Sequence, residues 1–141
     1  MLMGSQALIE KAKRYKMWLG SGYHQVGFNA QAAYYALTHH IARLQEDHKH
    51  ARLLAQRLCA LPELALDLKS VETNIIQIKL EKLPVSANRF CEACAQQGLL
   101  LFPWLPKIVR IVMNKDVTEQ HVYQAAEIIQ AVIHTLKHER T

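Results

Sequence analysis

The chain has 141 residues, a formal net charge of +5, 50% hydrophobic residues and 21% charged residues. That is enough for one ordinary domain, too few for two large ones, and too apolar for a disordered tail. No run long enough to span a membrane occurs, and Met1-Leu2-Met3-Gly4-Ser5 lacks the basic start and cleavage site of a signal peptide.

Taken in chain order, residues 5–17 read as a helix capped by Ser5, with Ala7, Leu8, Ala12 and Tyr15 as a partial apolar stripe. Lys11, Lys13, Arg14 and Lys16 make the only dense basic run. With no aromatic-basic RNA motif and no Gly-rich phosphate loop, it reads as a solvated helix face, and no nucleic-acid partner is expected. Gly20-Ser21-Gly22 breaks the helix. A second helix is expected over 25–39, rich in Ala30, Ala32, Ala33, Tyr34, Tyr35 and Ala36, a composition suited to burial on more than one side. A third is expected over 41–59, with Ile41, Leu44, His48, Ala51, Leu54, Ala55 and Leu58 inward and Arg43, Glu46, Asp47 and Lys49 between them.

Pro62 ends the helical region. Leu64, Leu66 and Leu68 alternate as in a strand, and Ile75 to Leu80 form a second. Ser86 caps a helix through Gln97, stopped by Gly98. Strands are expected at 99–102 and 108–113, joined by a rigid loop, Pro103-Trp104-Leu105-Pro106, with an apolar tip. Thr118 caps the last helix, whose apolar face is Val122, Ala125, Ala126, Ile129, Val132, Ile133 and Leu136. The order helix, strand, strand, helix, strand, strand, helix implies an α+β fold: a small, mostly antiparallel sheet covered on one face by helices.

Cys59, Cys91 and Cys94 are odd in number and, without an export signal, favour a reducing, cytoplasmic setting. Cys91 and Cys94 fall inside a helix, so burial is expected rather than redox or zinc chemistry. The histidine pairs, His39 with His40, His48 with His50, and His134 with His138, supply too few converging ligands for a metal.

Four segments, in order and at family-like spacing, resemble threonine aldolases. They are Gly4 to Met17; Gly20-Ser21-Gly22-Tyr23-His24-Gln25-Val26-Gly27; Tyr35-Ala36-Leu37 with Ala42-Arg43-Leu44-Gln45-Glu46-Asp47-His48; and Thr73-Asn74-Ile75 with Val109-Arg110-Ile111-Val112 and Asp116-Val117-Thr118. The resemblance implies the aspartate-aminotransferase-like, fold-type I architecture and a low-specificity L-threonine/L-allo-threonine aldolase. Such an enzyme cleaves these amino acids to glycine and acetaldehyde with pyridoxal 5'-phosphate as electron sink. It implies that residues 1–40 are a helical remnant of the cofactor-binding large domain and 41–141 a C-terminal small domain, together about the last two-fifths of a family member.

By the same resemblance the Schiff-base lysine lies upstream of Met1, so the chain alone is expected to be inert and to need the missing N-terminal large domain. Arg110 would bind the substrate α-carboxylate, offering two parallel donors. His24 stands where the family has an arginine that reaches the cofactor phosphate, and Lys16 lies one place before the position where many members have a lysine. For Lys16 a solvated helix charge is the competing assignment. The alternative function is a non-catalytic, self-associating interaction module. On either reading, residues 25–39 would expose an apolar patch, and a homo-oligomer is expected.

Overall fold

The structure, a computed structural model, describes residues 2–22 and 24–138, except the side chain of residue 138. The chain divides into two compact units, Met1–Ala42 and Arg43–Thr141.

The first unit holds α1, Gln6–Trp18, and α2, Gly27–His39. Ser5 caps α1, its hydroxyl accepting from the Leu8 N–H at 3.3 Å. The helix ends because Gly20 adopts φ +70°, which lets the Ser21 N–H reach back to the Lys16 carbonyl at 3.0 Å. Neither helix buries a residue. Trp18 is 78% exposed and Phe28 85%. Helix α2 is apolar around its circumference rather than along one stripe, the pattern of a helix meant to be enclosed.

The second unit holds α3 (Leu44–Cys59), β1 (Ile75–Lys79), α4 (Ala87–Gln96), β2 (Phe102–Leu105), β3 (Ile108–Val112) and α5 (Glu119–His138). The strands form one antiparallel sheet in the order β1-β3-β2. Period-two alternation buries Ile76, Ile78, Val109 and Ile111 against Leu54, Leu58, Phe90, Val122, Ile129 and Val132 of the three helices. The expected architecture is therefore present: an α+β fold whose small antiparallel sheet carries helices on one face.

Three local expectations fail. The run 64–68 is not a strand. Only Ala65 bridges to Lys79, and a short 3-10 turn follows at Leu68–Ser70. The Asp67 carboxylate accepts from the Lys69 N–H at 2.9 Å, a local turn that competes with pairing. The strand expected at 99–102 instead starts at Phe102 and takes in residues 103–105 of the expected rigid loop, leaving Pro106 in the turn. Pro103 is tolerated there because β2 is a sheet edge. Third, α3 starts at Leu44 rather than 41, Ile41 and Leu44 are exposed rather than inward, and Asp47 rather than His48 faces the core. Its carboxylate is buried but takes both Arg43 donors, at 2.6 and 3.2 Å, in the first turn of α3 where negative charge is favoured.

Loop ties complete the unit. The Lys107 ammonium donates to the Leu83 and Val85 carbonyls at 2.7 and 2.8 Å. The Ala87 N–H donates to the Pro106 carbonyl at 2.8 Å, pinning the β2–β3 turn to the start of α4. Glu63 accepts from Lys137 on α5, and that hydrogen bond holds its carboxyl below the usual glutamate range. A depressed carboxylate stabilises the fold above the unfolded-state pKa and loses that contribution as pH falls through the folded one. Urea midpoints of the native chain and Glu63→Gln are therefore expected to differ at neutral pH and to converge in acid.

Candidate functional site

On β3 the side chains of Ile108, Arg110 and Val112 alternate with the buried pair Val109 and Ile111, so they stand on the sheet face that no helix of this unit covers. β1 adds Ile75, Gln77 and Lys79 to that face. Register places Gln77 on one side of Arg110 and Phe102 on the other. A register shift between Pro103 and Leu105 makes Trp104 the extra residue of a bulge, a device that re-aims a side chain. Its ring lies 4.7 Å from the Arg110 guanidinium carbon and 6.1 Å from the Phe102 ring, centroid to centroid. The Arg110 Nε is buried with no hydrogen-bond partner. The residues paired with Arg110 across the sheet, Gln77 and Phe102, carry no charge to neutralise it.

Beside Arg110 runs a groove of about 400 Å³ whose lining includes Leu101, Phe102, Met113, Val117 and His121. Its far wall is the start of α5. There the Thr118 hydroxyl accepts from the His121 N–H and the His121 Nδ1 accepts from the Thr118 N–H, both at 3.3 Å. This reciprocal cap already occupies donors at the helix N-terminus. The cation of this site is thus the guanidinium: partly desolvated, stacked on an indole, and short of an acceptor. A carboxylate satisfies it best, because it accepts two parallel donors.

The other two expected site residues belong to the first unit, on either side of the glycine break. Lys16 is in the last turn of α1 and His24 precedes α2, both exposed. Neither lines the shallow hollows of that unit, around Gln25 and Phe28 or around Ala30 and Leu37. No hollow among the described residues encloses Lys16 or His24, so this unit by itself supplies at most part of a seat for a phosphate-bearing group. Tyr23, within the same motif, lies outside the described residues, as does the His138 side chain of the His134 pair.

Among the described residues, no cluster of His, Cys, Asp or Glu could hold a metal ion, and no helix is long and apolar enough to cross a membrane. Cys91 and Cys94 are buried on α4. Burial, with smaller contributions from Glu92 for Cys91 and from Cys91 for Cys94, pushes their thiols up to about 11 and about 12. Thiols so raised are poor nucleophiles. Sequence reading missed Phe102 and Trp104 as site residues. The available signal was an aromatic tip a few residues before a lone arginine in an apolar strand.

The sequence pattern described as "Beta-eliminating lyase" matches residues 1–81. The chain belongs to the beta-eliminating lyase family. Within that family it is 31% identical over 135 residues to the probable low-specificity L-threonine aldolase 2 of Arabidopsis thaliana, and 32% identical over 137 residues to that plant's low-specificity L-threonine aldolase 1. These alignments cover 95% and 96% of the chain but 38% of either relative, a share that a C-terminal portion fits. The fold is shared with the glutamate decarboxylase of Lactobacillus brevis CGMCC 1306, at TM-score 0.58 and 20% identity, over 70% of this lyase-family chain and 25% of the decarboxylase.

Proposed function

We propose that the chain is the C-terminal part of a pyridoxal-phosphate-dependent threonine aldolase, which cleaves L-threonine or L-allo-threonine to glycine and acetaldehyde. Residues 1–40 come from its large domain and 41–141 form its small domain. The observation that carries the reading is Arg110: a buried guanidinium Nε without a partner, on a helix-free sheet face, in a chain of the lyase family. In the intact enzyme Arg110 grips the substrate α-carboxylate and so fixes which bond faces the cofactor, a positioning role. Lys16 and His24 supply positive charge towards the cofactor phosphate, His24 only while protonated.

Alone, these residues contain no lysine in the family's Schiff-base context, and the chain is inert. Incubation with pyridoxal phosphate and L-threonine is expected to yield no glycine, whereas adding the N-terminal portion of a relative restores cleavage. Turnover by the chain alone, or a cofactor trapped by borohydride on one specific lysine, overturns this.

The exposed Trp18, Phe28 and Tyr34 of the first unit support self-association, and they are also what the interaction-module reading rests on. Sedimentation at rising concentration is expected to show dimers or larger species. A monomer throughout rules out both the association and that second reading.

A further inference from the structure

We propose that Trp104 is a positioning residue for Arg110, holding the guanidinium in the plane in which it receives a carboxylate. This rests on the reading of Arg110 given above and deepens it. A guanidinium is planar by itself, but to present two parallel donors its plane must be held in one orientation, which an acceptor on Nε can do. Here Nε is buried and has none. The Arg110 head group lies over the Trp104 ring, 4.7 Å from its centroid. An indole face attracts a cation and fixes its plane without using any of its N–H groups, so both outer nitrogens stay available.

The backbone is built for that contact. In a regular hairpin the residue between Pro103 and Leu105 would pair across from β3. The register shift leaves Trp104 unpaired instead. The neighbouring Phe102 ring, tilted 45° to the indole at 6.1 Å, supports it from the side. The turn that follows is anchored twice, by the Ala87 N–H on the Pro106 carbonyl and by the Lys107 ammonium on Leu83 and Val85. A merely space-filling tryptophan would be buried, yet Trp104 is 48% exposed.

The test is NMR on the 15N-labelled 141-residue chain, following the Arg110 Nε–Hε signal, assigned by its loss in Arg110→Lys, while L-threonine is added to high millimolar concentration. In the native chain the signal is expected upfield, from the indole ring current, and to move on titration. Trp104→Leu is expected to remove the ring-current shift and weaken the apparent affinity about 2- to 5-fold, in line with an exposed cation–π contact. Trp104→Phe, which keeps an aromatic face, is expected to retain most of the affinity. Backbone amide spectra confirm that each variant is folded. Equal affinities for Trp104→Leu and Trp104→Phe, or no ring-current shift in the native chain, overturn the positioning role while leaving the carboxylate role of Arg110 intact. A native signal that is ring-shifted but indifferent to L-threonine overturns the carboxylate role, and the proposal with it.

Discussion

Replacing Arg110 by leucine is expected to lower kcat/KM for L-threonine roughly a hundredfold in the chain completed by the N-terminal portion of a relative, with little change in stability. Each charge-assisted hydrogen bond contributes about 1.5–3 kcal/mol, and loss of the bidentate pair corresponds to about 3 kcal/mol, or two orders of magnitude. The fold should tolerate the change because the side chain stands on the helix-free face among Ile108, Val112 and Ile75, where leucine also fits. Arg110→Lys keeps the charge but offers a single point donor, and is expected to recover only part of the loss. Steady-state kinetics with paired thermal melts decide it. A variant as active as the native complex removes Arg110 from the mechanism.

Phe90→Ala is expected to cost about 3–5 kcal/mol, the largest single effect on stability. Phe90 is fully buried on α4, in the cluster that joins that helix to Ile78, Val109 and the α5 face. Truncation leaves a cavity that a three-helix cover clamped by loop ties cannot easily close. Against a total of about 5–15 kcal/mol for a domain, that is a large fraction. Urea denaturation measures it, with Gln96→Ala as control: Gln96 is exposed on the same helix, so its truncation is expected to fall within about 0.5 kcal/mol of native. Similar losses for both would mean that Phe90 does not anchor the core as its burial implies.

What was legible in the sequence was what neighbours in the chain decide. The Ser5, Ser86 and Thr118 caps each hold a backbone N–H as expected, and Gly98 stops α4 at φ +85°. The α5 stripe, with Val122, Ile129, Val132, Ile133 and Leu136 buried, follows the 3.6-residue period. Failures arose where a distant partner decides or where a local side-chain turn overrides the alternation. Leu64, Leu66 and Leu68 alternate correctly, but extended pairing gives way to a turn made by Asp67. Pro103 looked like loop because a proline forbids a central strand, not an edge, whereas Pro106 does lie in a turn. Arg110 was legible as a lone cation in an apolar strand. The indole over it was not, because that contact depends on a bulge whose existence is set by β3.

The sheet's two margins bear on how the molecule can assemble. Along β2 the ladder is interrupted by Pro103, which has no N–H to offer, and by the kink at Trp104. Along β1 the outer groups of Lys79 are already taken by Ala65, at 2.9 and 3.0 Å. Neither rim offers a long, straight row of free amides, which disfavours lateral growth into a fibril-like ribbon. Side-chain surfaces rather than sheet margins are therefore the expected meeting points for copies of this chain.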